Sequence, residues 1–304
     1  VTISERRMAT WRQNHRENLH HLAVEKLQSL LPRSNGSDVA ISLALGAKRT
    51  NSRDVKHSYS LSGVSHLLAV SGLHVGIVAM LLSLLLLPLS LVWRGNSIRA
   101  WIIVALIWLY VALCGYPTSA IRAAIMFSTL QLSHLTRNRY SQENSLFTAA
   151  FIMLAIKPTI LFELSFNLSF IAVIAIIFVS KPINSAIYCK NSLLREAING
   201  VVVSVASVIA TAPLISNTFG IISTLSIFLT PVALIFAQII IISSMLALVM
   251  PHSIAQTLFR AAEWCADIQN SFIERAVEMG IGYTELRIED STTAIIYAVM
   301  ALLL

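Results

Sequence analysis

Charged side chains are scarce in this sequence, and their scarcity excludes a water-soluble fold. Only 12% of the 304 residues are charged, whereas soluble domains carry about 25%. Between Glu196 and Arg260 the chain runs for 63 residues without a Lys, Arg, Asp or Glu. A soluble domain of this size could not cover that stretch, but a bilayer needs about 20 apolar residues for each helical span. The sequence therefore predicts a membrane protein.

Cysteine pairs and the short motifs of metal and nucleotide chemistry are also missing. The three cysteines stand far apart, which excludes a disulfide framework and a thiolate metal site. The eight histidines form no H-E-x-x-H motif, and no G-x-x-x-x-G-K-[ST] phosphate loop occurs. We therefore expect no metal, no cofactor and no ATP hydrolysis by this chain. The sequence starts at Val1 without a secretory signal pattern and stops inside an apolar run, so we expect a piece of a longer protein.

The charges that are present separate along the chain. Residues 1–60 hold ten Lys/Arg against five Asp/Glu, and residues after 250 hold three against seven. Residues 5–31 have the spacing of an amphipathic helix, and Val39–Ala47 predicts a second, short helix. Neither contains an apolar stretch long enough to span a bilayer, so we predict that residues 1–60 form a basic segment on the membrane surface. Its charge suits phosphate, of either lipid headgroups or nucleic acid.

For residues 61–304 the sequence predicts an all-α, polytopic transmembrane bundle of seven or eight spans. It also predicts another amphipathic surface helix at Ile254–Met279. Broken spans are expected at Pro117, Pro213, Gly220 and Pro231, because irregular backbone survives in a bilayer where it faces protein or water. The predicted spans are His66–Trp93, Ala100–Cys114, Ala120–Leu135, Ser145–Ile156, Ile160–Val179, Ala197–Ser216, Ser226–Met250 and a final run from Thr293.

Short loops predict the orientation of these spans. Loops after the first, third and fifth spans carry seven Lys/Arg, and those on the opposite side carry one. By the positive-inside rule the odd-numbered spans leave the bilayer on the cytoplasmic side. Residues 1–60 are then expected outside, and residues 251–290 in the cytoplasm.

The segment Gly63–Gly76, GVSHLLAVSGLHVG, concentrates polar and small residues at the outer end of the first span. Its glycines stand four residues apart, which lets a second helix approach closely. The functional interpretation is a pore entrance or gate; the alternative, favoured on physics alone, is helix packing. A serine and a histidine three residues apart could also serve a hydrolase, but no G-x-S-x-G motif accompanies them, so we expect no catalytic residue. The candidates are Ser65, His66, Ser71, Gly72, His74 and Gly76.

Two further segments carry candidate residues. Arg122 stands at the start of a predicted helix, where a guanidinium either meets a phosphate on a pathway or snorkels to a headgroup. In LFELSFNLSF, Phe166 and Phe170 stand one helical turn apart, with Asn167 and Ser169 among them. Aromatic rings beside polar groups can stack on the bases of a single strand. Core packing is the commoner explanation of this spacing.

The string SHLLAVSGLHVG resembles the signature of the ComEC-type competence family, the inner-membrane DNA channels of natural transformation. Four weaker features follow in the family's order, and the resemblance covers roughly residues 40–280. They are Gly115-Tyr116-Pro117 with Ile121-Arg122-Ala123, Pro158 with Leu161-Phe162, the run Phe166–Phe170, and Ala212-Pro213-Leu214 with Phe219-Gly220 and Thr230-Pro231.

The resemblance implies a multi-pass channel in the bacterial inner membrane that passes single-stranded DNA into the cytoplasm. It also implies a cytoplasmic ATP-driven DNA motor and a periplasmic or surface DNA receptor as partners, and it leaves a homo-oligomer open. Any nuclease domain of such a protein is expected outside this chain, so we expect no enzyme here. The alternatives are a secondary transporter of a small anion, an intramembrane serine hydrolase built on Ser71 and His74, and a structural anchor.

Overall fold

The structure is a computed structural model, and its described residues are almost entirely helical, which confirms the all-α fold class. These residues are 19–47, 53–64, 67–68, 70–91, 95–133, 142–187, 192–219, 221–223, 226–278, 283–285, 289, 291–292 and 297. Residues 19–28 are helical, and the later helices are α1 (Asn35–Leu45), α2 (Arg53–Leu61), α3 (Gly72–Leu85), α4 (Gly95–Leu113), α5 (Thr118–Ser133), α6 (Gln142–Ile156), α7 (Leu164–Ala175), α8 (Lys181–Ala186), α9 (Ser192–Phe219), α10 (Ser226–Val249) and α11 (His252–Glu278). Strands β1 (Ile221–Ser223) and β2 (Tyr283–Glu285) pair antiparallel.

Four helical stretches of the described chain are long and apolar enough to cross a membrane, as the sequence predicts for a membrane protein. They are Gly95–Leu113, Leu164–Ala186, Ile198–Thr218 and Leu229–Val249. The second of these joins α7 to α8 through a π-helical turn. Helix α3 has only 14 residues, because a 3-10 turn that contains Pro88 follows it. Proline has no amide hydrogen and disfavours helical geometry in the residue before it.

The helix breaks predicted at Pro213 and Pro231 are wrong. Helix α9 continues through Pro213 to Phe219, and α10 continues through Pro231 to Val249. A proline removes one backbone donor, and the remaining i to i−4 bonds hold the helix on both sides of the gap. Membrane helices tolerate proline where neighbouring side chains or backbone groups satisfy the carbonyl that it leaves free.

The chain divides into two compact units. The first comprises Val1–Val55, His66–Ala149 and Phe236–Asn270, and the second comprises Lys56–Ser65, Ala150–Ile235 and Ser271–Leu304. The core of the first unit is built by α3, α4, α5 and the later part of α10, with Ile107, Val111 and Ile241 among its fully buried residues. In the second unit, α7 packs on α9.

Helices α3 and α5 approach each other closely along two glycines. A Cβ on Gly72 would lie 3.5 Å from the Cβ of Ala123, and a Cβ on Gly76 would lie 3.3 Å from Phe127 Cζ. Both contacts advance along the two helices in the same direction, so α3 and α5 run parallel. The spacing of four residues therefore serves a close helix crossing, as small residues do in membrane bundles.

We expect Gly76→Val to lower the melting temperature of the purified full-length protein, because its added methyl groups meet Phe127. Overpacking of this kind costs about 1–3 kcal/mol. Gly200→Ala, inside α9, is the matched control, since no atom lies within 4 Å of its added Cβ. The control should leave the melting temperature unchanged or raise it, because alanine is the better helix former. Equal melting of Gly76→Val and the parent would contradict the close crossing.

Helix α1 is buried within the first unit. Ser34 caps its first turn through a bond from the Ser37 amide to Ser34 Oγ, and every residue from Gly36 to Leu45 is buried. At its other end the Ala44 carbonyl accepts a hydrogen bond of 3.0 Å from the Tyr110 hydroxyl on α4. The helix begins four residues earlier than the sequence predicts, because the cap at Ser34 precedes the apolar run. That residues 1–60 lie on the membrane surface stays a prediction.

The helical segment 19–28 joins the C-terminal ends of α4 and α10. The His20 ring nitrogen Nδ1 lies 2.8 Å from the Leu113 carbonyl, and the Lys26 ammonium donates to the Leu248 carbonyl at 2.8 Å. Both carbonyls belong to the last turn of a helix, where cationic or N–H donor groups are favourable. Six residues of helix rise only about 9 Å, so the C-terminal ends of α4 and α10 lie close together in the first unit.

Helix α11 also packs on α1. The Ser34 hydroxyl donates to Glu263, and the Gly36 amide bonds the Asp267 carboxylate. Burial and the neighbouring Glu263 raise the pKa of Asp267, while the bond from Gly36 lowers it. These contacts contradict the expectation that the described part of α11 and residues 1–60 lie on opposite sides of the membrane. Which side they share stays a prediction. Counting loop charges cannot detect such contacts, because they join residues more than 200 positions apart.

Single cysteines at Glu25 and Thr257, both exposed, should react alike with a membrane-impermeant maleimide in intact cells. The reason is that segment 19–28 and α11 lie at one face of the first unit. Each cysteine is introduced into a Cys189→Ser protein, and that protein without introduced cysteines is the control, since Cys114 and Cys265 are buried. Labelling of one position and not the other would contradict the shared face.

Candidate functional site

The candidate residues of the first unit gather where α3 and α5 begin. Because these helices run parallel, their N-terminal ends lie side by side. The Ser119 hydroxyl on α5 donates to the Val70 carbonyl, just before α3, and links the two ends. Gly46, which ends α1 with φ 72°, also lies against Val70. We call this group, which includes Ser71, His74, Tyr116 and Arg122, the α3–α5 end.

Ser71 and His74 form a cap at the N-terminus of α3. The Ser71 amide donates to His74 Nδ1 at 3.0 Å, and Ser71 Oγ lies 2.8 Å from the same nitrogen. Since Nδ1 accepts a hydrogen bond from the amide, the neutral ring carries its proton on Nε2. His74 is fully buried and Ser71 is half-buried. The spacing of three residues therefore has a capping function, which accounts for the serine–histidine contact.

Arg122 is buried one turn inside α5. Its exposed fraction is 2%, and the next residue, Ala123, touches Gly72 on α3. Transferring a guanidinium from water to such a position costs several kcal/mol unless it is well compensated. The N-terminal ends of both helices add positive partial charge here. The α3–α5 end is thus electropositive and suited to an anion.

The turn from α4 to α5 completes this end and contains a strained residue. The Gly115 amide donates to the Ala112 carbonyl at 3.0 Å, and the Tyr116 amide donates to the Val111 carbonyl at 2.9 Å. This pattern needs a left-handed residue at Gly115, which has φ 78°. Tyr116 is left-handed too, with φ 58°, and it precedes Pro117, which disfavours that geometry further. Such strain costs about 1–3 kcal/mol.

The remaining candidates belong to the second unit. The rings of Phe166 and Phe170 lie with centroids 4.3 Å apart and planes 33° apart, and both are buried. Asn167 and Ser169 on the same helix are half-buried. Phe162, which the sequence places one turn earlier in this stack, is 86% exposed, because the 3-10 turn Pro158–Phe162 precedes α7. Base stacking by these rings stays a prediction.

Tyr297 forms hydrogen bonds beside Pro213 that the sequence did not indicate. The Tyr297 hydroxyl donates to the Ala210 carbonyl at 3.0 Å, in the turn of α9 that contains Pro213. The Leu214 amide also bonds this hydroxyl. The hydroxyl thus bridges the Ala210 carbonyl and the Leu214 amide, beside the bond to Ile209 that Pro213 cannot donate, which is a further reason why α9 does not break there.

Three candidates, Ser65, His66 and Gly220, lie outside the described residues. Two residues of the α3–α5 end were missed by the sequence interpretation. Tyr116 could have been suspected from its neighbours Gly115 and Pro117, which indicate a turn. His20 gave no signal, because its partner Leu113 lies 93 residues away along the chain. Among the described residues, no group of three or more His, Cys, Asp or Glu is arranged to hold a metal.

Fold and site together define a helical membrane protein with a buried cation at one end of a parallel helix pair. The family model of the competence proteins, described as "Competence protein", matches residues 43–304. The chain therefore belongs to the competence protein family.

Two curated relatives were found. An uncharacterized protein of Aquifex aeolicus is 28% identical over 263 residues, which cover 83% of this chain and 60% of the relative. ComE operon protein 3 of Bacillus subtilis is 32% identical over 142 residues, which cover 47% of this chain and 18% of that protein. The chain thus corresponds to less than two thirds of either relative. No solved structure matches.

Proposed function

We propose that this chain forms the membrane path by which one strand of DNA enters the cytoplasm during natural transformation. The supporting observation is Arg122, a nearly fully buried cation at the electropositive α3–α5 end of a competence family member. An ionisable residue inside a membrane protein marks a transport pathway by default, because its burial is costly and is kept only for a purpose.

A DNA strand is a polyanion, and Arg122 suits its phosphates. A guanidinium binds phosphate through a planar fork of donors. One buried cation attracts each passing phosphate without reading its base, as a channel for strands of any sequence requires. The chain acts as a passive path in the bacterial inner membrane, crossing it several times. A cytoplasmic ATP-driven motor supplies the force, and a periplasmic or surface receptor delivers the DNA.

The chain is proposed to bind and conduct DNA without cutting it. The contact between Ser71 and His74 could be taken for a catalytic pair, since Ser71 Oγ lies 2.8 Å from Nδ1. The same nitrogen, however, accepts a hydrogen bond from the Ser71 amide. A helix cap therefore explains the contact without any hydrolysis. Transport of a small anion would use Arg122 as well, and the test below separates it from DNA transport.

Deleting the gene and restoring it on a plasmid tests the proposal. Cells receive DNA labelled in both strands, and surface-bound label is compared with label that has become resistant to external nuclease. We expect the deletion to leave surface binding intact and to abolish internal single-stranded label, with recovery by the plasmid. Normal internal label in the deletion strain would contradict the proposal and leave small-anion transport as the alternative.

A further inference from the structure

Tyr116 occupies a backbone position that a glycine would fill without strain. Its φ of 58° follows a left-handed Gly115, so two successive residues adopt a conformation that L side chains avoid. The hydrogen bonds that end α4 require this conformation only at Gly115. Left-handed geometry at a bulky residue persists where the side chain itself contributes something, and such residues cluster at functional sites.

The location of the Tyr116 ring indicates what that contribution is. Part of the ring packs against the buried cluster of α3, α4 and α5, and the residue as a whole is half-buried. The turn places it one residue before Pro117 and two before α5, whose next turn carries Arg122. The ring of His20 lies beside the preceding residue, 3.7 Å from a Cβ on Gly115. An aromatic surface is thus held at the α3–α5 end, next to the proposed phosphate contact.

We propose that Tyr116 is an aromatic contact on which the bases of the transported DNA strand stack. This inference rests on the proposed function and adds a base contact to the phosphate contact at Arg122. Every base has a flat π face, so a tyrosine ring accepts any sequence. The turn and the packed part of the ring anchor Tyr116, so the rest of the ring is held rigid. Phosphate and base are then recognised by neighbouring residues, as in other proteins that bind single strands.

Substitutions at position 116 of the full-length protein test this role by separating uptake from stability. Tyr116→Leu keeps an apolar side chain but removes the π face, and we expect it to lower internal single-stranded label about tenfold. Tyr116→Phe and Tyr116→Trp keep a ring, and we expect uptake within about twofold of the parent. Tyr116→Gly relieves the backbone strain but loses the packing of the ring on the buried cluster. These two effects on the melting temperature oppose each other, and we expect uptake to fall as in the leucine variant.

Loss of uptake in Tyr116→Leu without a matching fall in melting temperature is what a merely structural tyrosine would not produce. Parental uptake in the glycine or leucine variant, at normal membrane abundance, would overturn the role of the ring. Loss of uptake in Tyr116→Phe would also overturn it, because the hydroxyl would then be the important group. Deletion of the gene distinguishes this failure from failure of the proposed function. Uptake abolished by deletion but unchanged by Tyr116→Leu rejects the stacking alone, whereas uptake unchanged by deletion rejects both.

Discussion

Arg122→Gln should lower the internalisation of single-stranded DNA by at least about tenfold, because a hydrogen bond to a charged group is worth about 1.5–3 kcal/mol. Glutamine keeps a polar side chain of similar length but loses the positive charge and the fork of donors. Arg122→Lys keeps the charge and loses the fork, so its uptake should lie between that of Arg122→Gln and that of the parent. The measurement is nuclease-resistant single-stranded label in cells that hold normal amounts of the full-length protein.

Arg99→Gln provides the matched control for lost charge. Arg99 lies near the start of α4, where its guanidinium donates to the Ser83 carbonyl at 2.8 Å, at the end of α3 opposite to Ser71. It is half-buried, whereas Arg122 is buried. We expect Arg99→Gln to reduce stability slightly and to leave uptake within about twofold of the parent. Equal loss of uptake in both variants would show that the position of Arg122 has no special importance.

His74→Ala is expected to have the second large effect. It removes the acceptor for the Ser71 amide and leaves a cavity in a fully buried position. Loss of a helix cap costs about 1 kcal/mol, and emptying a buried position adds about 2–4 kcal/mol. The melting temperature should therefore fall clearly, and uptake should fall with it. His74→Asn supplies another side-chain acceptor near Ser71, so it should recover part of the stability.

The two histidine variants and Ser71→Ala separate three explanations. His74 is fully buried and caps α3, so we expect uptake to recover together with stability in His74→Asn. Uptake that stays low although stability recovers would instead place His74 on the DNA path. Ser71→Ala keeps the amide bond to His74, so we expect uptake close to that of the parent. Its complete loss would favour a serine hydrolase instead.

The sequence predicts the fold class well because hydropathy alone determines it. The stretch between Glu196 and Arg260 has no charged residue, and most of it forms α9 and α10, two helices long enough to span. The sequence fails at the prolines, because the cost of Pro213 depends on a partner, Tyr297, that the local sequence does not show. The predicted length of the first span is wrong for a different reason, because a 3-10 turn at Pro88 ends α3 within a continuous apolar run.

The candidate site could be predicted in part. The pattern of the first span indicates a close crossing at Gly72 and Gly76, and Phe127 on α5 is the residue that meets it. The charge of Arg122 made it a candidate. Its burial could not be predicted from the sequence, because burial depends on tertiary packing. The left-handed Tyr116 follows from the geometry of the turn. Contacts between residues distant in sequence, such as Ser34 with Glu263, contradict the prediction that α11 and residues 1–60 lie on opposite sides of the membrane.

Photocrosslinking at the α3–α5 end tests most directly whether a DNA strand passes it. A photoreactive phenylalanine analogue is placed at Thr118, the exposed first residue of α5, in the full-length protein of cells that are taking up DNA. The same analogue at Trp101, 59% exposed on α4, serves as the control. We expect light to join single-stranded DNA to position 118 and not to position 101. Crosslinks at both positions, or at neither during active uptake, would contradict it.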